Sequence, residues 1–122
     1  MTFTDTHCHI HEASYPESEK AYHEAMATGV TRLICVGTDE VTSKEAATFA
    51  AGHENAWCSV GLHPHDAKNG ANAVHDLEAL VKKDKSVHMN KVVAVGECGL
   101  DYFYDNSPRS EQVTMFEAQL DL

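Results

Sequence analysis

The 122-residue sequence is poor in positive charge: nine lysines and arginines face nineteen aspartates and glutamates, a formal net charge of −10. A chain this acidic repels a nucleic-acid backbone at long range and lacks the broad basic footprint of a nonspecific binder. Any phosphate-bearing substrate would need local help, and a bound divalent cation supplies it. No apolar run is long enough to span a bilayer, so no membrane association is expected. The N-terminus, Met1-Thr2-Phe3-Thr4-Asp5, lacks the basic and apolar regions of a secretory signal, which makes a cytoplasmic location the expectation. Cys8, Cys35, Cys58 and Cys98 include no C-x-x-C pair. They read as reduced thiols acting as small buried hydrophobes, not as a disulfide framework or a zinc ribbon. Neither G-x-G-x-x-G nor a P-loop is present, which weakens a nucleotide-binding fold. There is no low-complexity tract and no linker, and the length allows one domain.

What is present is alternation. Thr2 to His7 reads as a first strand, followed by a helix near Glu17 to Ala27. Ser14 and Glu17 have capping-box spacing, Pro16 suits a first turn and Gly29 supplies a stop. Leu33 to Val36 reads as a buried second strand. Thr42 to Glu45 is a second capping box, opening a helix that closes at Gly52. Ala56 to Val60 is a third strand, and Val74, Leu77, Leu80 and Val81 fall at helical spacing. Lys91 to Glu97 is a fourth strand. Ser107-Pro108 caps a last helix with Val113, Phe116 and Leu120 on its buried face. The pattern predicts an α/β fold with a parallel sheet and right-handed crossovers. A full (β/α)8 barrel takes about 250 residues, so about four βα units amount to the N-terminal half of a TIM-like barrel. The chain ends inside a helical pattern, which makes residues 1–122 read as a partial barrel whose C-terminal half is absent.

Nine histidines are the compositional outlier. Residues two apart on a strand share a face, so His7 and His9 project together at the end of the first strand while Cys8 points away. Two imidazoles there make a pair of metal ligands, with Asp5 on the same face to orient one of them. Gly61-Leu62-His63-Pro64-His65-Asp66 follows the third strand; Pro64 stiffens the loop, so His63 and His65 can bind phosphate or move a proton. Glu97 ends the apolar fourth strand, above Val93 and Val95, where a carboxylate needs a positive partner such as a metal. Each motif alone has a bland reading as surface histidines or an ion-paired glutamate. Three strand ends offering ligand-type residues on one rim favour a shared site.

Asp5-Thr6-His7-Cys8-His9, Gly61-Leu62-His63-Pro64-His65-Asp66-Ala67 and Val95-Gly96-Glu97-Cys98-Gly99-Leu100-Asp101-Tyr102 together resemble the TatD family of metal-dependent hydrolases, often described as deoxyribonucleases. The resemblance runs from Thr4 to the C-terminus. It implies that His7 and His9 bind a divalent ion (magnesium, manganese or zinc type), and that Glu97 binds the same ion and bridges to a second. It further implies His63 and His65 beside the substrate phosphate, with His63 and Glu97 catalytic, and Asp101 and Tyr102 lining the mouth. DNA is the expected substrate, cleaved at its phosphodiester bonds. The family supplies two more histidines and an aspartate from later strands, which this sequence lacks. Two alternatives stand beside the nuclease: an amide or ester hydrolase of the amidohydrolase type, and a catalytically silent half-barrel. Either way the first and fourth strands would be open edges, ready for self-association or for docking of a missing C-terminal half.

Overall fold

The structure, a computed structural model, describes residues 1–87 and 89–122. Four strands, β1 (Phe3–Cys8), β2 (Val30–Val36), β3 (Ala56–Val60) and β4 (Val92–Val95), form one parallel sheet in the order β1-β2-β3-β4. Helices α1 (Ser18–Ala27), α2 (Glu40–Gly52) and α3 (Ala71–Ser86) connect them, α4 (Arg109–Leu120) follows β4, and a 3-10 turn spans Pro64–Asn69. The expected βα alternation is therefore present in four units, with β1 and β4 at the edges.

Among the described residues, the helices cover one face of the sheet. Leu33, Cys35, Ala56 and Cys58 alternate toward the helix layer and bury Tyr22, Ala46 and Ala50 against them. Burial there pushes the Cys58 thiol up to about 12, so it stays a neutral hydrophobe, as expected of the cysteines. A second cluster, Val60, Leu62, Ala67, Ala73, Leu77 and Met115, lies under α3 and α4. The residues between point the other way: Thr4, Arg32, Ile34, Trp57 and Val93 line an open depression of about 610 Å³. Val93 is half exposed there, on the concave side that a closed barrel would fill.

Several local expectations need correction. The first helix begins at Ser18, after a left-handed Glu17 that makes no side-chain cap bond; Ser14 Oγ bonds Glu12 instead. The second capping box lies one turn earlier than Thr42–Glu45 predicts. Asp39 is the N-cap, its carboxylate accepts from the Thr42 backbone N–H (2.7 Å), and Thr42 Oγ1 accepts from the Asp39 N–H (3.0 Å). On α4 the buried face is Gln112, Met115 and Gln119, whereas Val113 and Leu120 are exposed. Ser107 does not cap that helix; its hydroxyl donates to the His65 carbonyl (2.7 Å) and accepts from the Lys68 N–H (3.1 Å). Asp39, Thr42, Ser107 and the α4 glutamines each satisfy backbone groups that periodicity does not register.

Candidate metal centre

The carboxyl ends of the strands carry the polar side chains. At the end of β1, His7 Nε2 and His9 Nε2 lie 3.2 Å apart. Glu97, two residues past β4, reaches across the sheet and sets Oε2 3.5 Å from His7 Nε2. One donor atom from each of His7, His9 and Glu97 falls within 4.8 Å of the others. Two ligands held about 2.1 Å from a tetrahedral ion sit roughly 3.4 Å apart. The observed 3.2 and 3.5 Å separations match that spacing, so the donor set fits a divalent cation.

Glu97 owes its reach to a tight crossing of loops. Its backbone N–H donates to the Gly37 carbonyl (2.8 Å), and the Gly96 N–H donates to the Val60 carbonyl (2.8 Å). A Cβ on Gly61 would stand 2.3 Å from the Gly96 carbonyl carbon, and one on Gly37 would meet Ser43 Oγ at the same 2.3 Å. Only glycine permits those approaches. Fully buried Ser43 ties the two together, accepting from the Gly61 N–H (3.1 Å) and donating to the Gly61 carbonyl (3.3 Å). Sequence reading placed Ser43 inside a capping box and missed this role.

His63 faces the same carboxylate from β3, with Nε2 3.5 Å from Glu97 Oε1. Its backbone N–H donates to the Thr38 carbonyl (2.7 Å), and its Nδ1 accepts from the His65 N–H (3.2 Å). An accepting Nδ1 places the ring proton on Nε2, so His63 presents a donor to the site. His65 Nε2 pairs with Asp101 Oδ2 at 2.5 Å, and its ring meets Tyr104 edge-on at 5.7 Å. Backbone N–H groups of Tyr104 and Phe103, together with His65, hold the Asp101 carboxyl below the usual carboxylate range. Gln112 fixes Asp101 from α4, accepting from its N–H (2.7 Å) and donating to its carbonyl (3.1 Å). Gln119 does the same for Leu62, just before His63 (2.7 and 3.1 Å).

His7, His9, Glu97, His63, His65 and Asp101 are thus brought to one rim. Tyr102 is not drawn in: the Arg109 guanidinium lies over its ring at 4.5 Å, and Tyr104 takes the place beside His65. Asp5 also departs from expectation. It pairs with core-facing Leu33, the register slips between Asp5 and Cys8, and its carboxylate accepts from the His7 backbone N–H (3.0 Å) rather than an imidazole. Just beyond the centre lies a second group, His9, His11 and Glu12, that sequence reading did not single out. Burial holds the His11 ring below the ordinary imidazole range.

Comparison with known proteins gives these residues a context. Residues 4–122 match the family model described as TatD related DNase. A 3'-5' ssDNA/RNA exonuclease TatD from Pantoea ananatis is 35% identical over 108 residues, covering 87% of this chain and 39% of that protein. An uncharacterized metal-dependent hydrolase YabD from Bacillus subtilis is 35% identical over 119 residues, covering 97% of this chain and 45% of the relative. The chain therefore spans less than half the length of these relatives. Among solved structures, the TatD homolog YJJV from Escherichia coli K12 superposes with a TM-score of 0.82 at 28% identity, covering 98% of this chain and 45% of that one. An uncharacterized amidohydrolase from Saccharomyces cerevisiae superposes at 0.86 with 16% identity over 99% of this chain and 43% of the other, a likeness of fold alone. The four βα units take the same course as the matched parts of these barrel proteins.

Proposed function

The chain belongs to the TatD-related DNase family, and from that premise we propose that it supplies the first half of a metal-dependent site cleaving phosphodiester bonds in nucleic acid, DNA above all. The observation carrying this reading is the meeting of His7, His9 and Glu97 donors from opposite edges of the sheet, with His63 against the same carboxylate. One or two divalent ions bound there would supply Lewis acidity toward a phosphoryl oxygen and lower the pKa of water.

The protein's own groups do the rest. His7, His9 and Glu97 would hold a cation on a chain of net charge −10, which gives an anionic phosphate an attractive approach. His63, with its proton on Nε2, donates a hydrogen bond toward the phosphate and stabilises negative charge building on its oxygens. His65 and Asp101 form a fixed hydrogen-bonded pair beside it. They position the loop, and a phosphate oxygen can compete for the His65 N–H. Tyr102 has a place at the substrate mouth only if Arg109 releases its ring.

The proposal extends to architecture. Residues 1–122 form half of the barrel, and the other half docks through the edges of β1 and β4 and covers the open concave face. Among the described residues no helix is long and apolar enough to cross a membrane; the reading places the protein in the cytoplasm. The test is cleavage of a labelled single-stranded oligonucleotide with manganese, magnesium or zinc, by this chain and by a form extended to its relatives' length. EDTA should abolish cleavage. Undiminished cleavage in EDTA, or a preference for an uncharged amide or ester, would overturn the assignment.

A further inference from the structure

Just beyond His9 the chain folds back on itself. The Glu12 N–H donates to the His9 carbonyl (3.2 Å), the Tyr15 N–H to the Glu12 carbonyl (2.8 Å), and the Ala13 N–H to Glu45 Oε2 on α2 (3.1 Å). This turn carries His11 to 7% exposure with neither ring nitrogen in a well-formed hydrogen bond, only a loose approach to the Thr42 backbone. His9 Nδ1 is likewise buried and makes no hydrogen bond, although Glu12 Oε1 lies 3.1 Å from it. Buried polar atoms normally find partners, so open nitrogens on two adjacent rings point to something shared between them. The Glu12 carboxylate beside these nitrogens favours a cation over a bridging water. Donor atoms of His9, His11 and Glu12 all lie within 4.8 Å of one another, which suits a single ion at their centre. A groove lined by His11, Glu40, Lys44 and Glu45 gives that ion a way in.

We propose that His9 Nδ1, His11 and Glu12 hold a second divalent cation of the zinc class, distinct from the His7–His9–Glu97 centre. Two imidazoles and one carboxylate are the donors that borderline transition ions take, with a fourth position left for water. The two sites share one ring. A neutral imidazole offers a single lone pair, so an ion at His9 Nδ1 leaves the proton on Nε2 and turns that nitrogen away from ligation. Excess zinc therefore withdraws one ligand from the first centre. This inhibitory consequence rests on the proposed function; the second site itself does not.

Cobalt(II), read by its visible absorption bands and by calorimetry on the 122-residue chain, separates the two sites. In a His7→Ala/Glu97→Gln background one cobalt ion should remain bound, and adding Glu12→Gln or His11→Asn should weaken it by about 10-fold or more. The proposal is overturned if that background takes up no cobalt, or if Glu12→Gln and His11→Asn leave its affinity unchanged. A reciprocal arm tests the first centre on its own. A Glu12→Gln chain should retain an ion that Glu97→Gln then weakens, and failure there would sink the proposed function without touching the second site.

Discussion

Two histidine pairs of identical spacing, His7/His9 and His63/His65, stand on the same rim and have different chemical prospects. The first pair ends a strand; its Nε2 atoms face each other at 3.2 Å, with Glu97 alongside. The second pair flanks Pro64 in a 3-10 turn, and its nitrogens are engaged: His63 Nδ1 accepts from the His65 backbone, and His65 Nε2 pairs with Asp101. Spacing alone does not make a ligand. A histidine becomes one when its lone pair is open toward a shared point, and it becomes a positioned donor when its other contacts use that lone pair.

The contrast can be broken most sharply at its first member. In a Glu12→Gln background, which removes the second site, His7→Ala with Glu97→Gln should lower cation affinity by more than the roughly 100-fold seen for loss of outer groups, as measured by zinc calorimetry. His63→Ala should leave that affinity unchanged while lowering oligonucleotide cleavage by about 100-fold in the extended form; equal losses of binding would erase the distinction. Gly61→Ala should destabilise the fold by about 1–3 kcal/mol in urea unfolding, because its Cβ has backbone and not a movable side chain in its way. Gly52→Ala, with nothing within 4 Å, should be neutral or stabilising by up to about 1 kcal/mol.

The smallest effect concerns acid. Asp101 has a depressed folded-state pKa, so its contribution is present above the ordinary carboxylate value near about 4 and is lost as pH falls through the lower folded value. Asp101→Asn should therefore flatten the stability curve on its acid side, as seen by urea titrations between about pH 2 and 6. Asp105, held low by Arg109, keeps part of the slope.

The strands and the histidine pairs were legible because their signals are local. Ala56–Val60 is a strand at the bounds its apolar run predicts, and the two-residue period puts His7 beside His9. The supports were not legible, because they join residues far apart in sequence. Ser43 clamps Gly61 from 18 residues away, and Gln119 satisfies Leu62 from 57 away. Neither carries a periodic or motif signal. Gln112 and Gln119 even reverse the expected face of α4, since loop backbone needed polar partners more than the helix needed apolar ones. Asp5 misled for a related reason: a slip of register undid the alternation that placed it beside His7.

Anomalous diffraction from crystals of the zinc-bound chain addresses the ligand assignment most directly. In a Glu12→Gln chain, where the second site cannot compete for His9, a zinc peak should lie about 2.0–2.2 Å from His7 Nε2, His9 Nε2 and a Glu97 oxygen, with His63 and His65 outside its coordination shell. A peak held by His63 and His65, or His7 and Glu97 bound to separate ions, would contradict it.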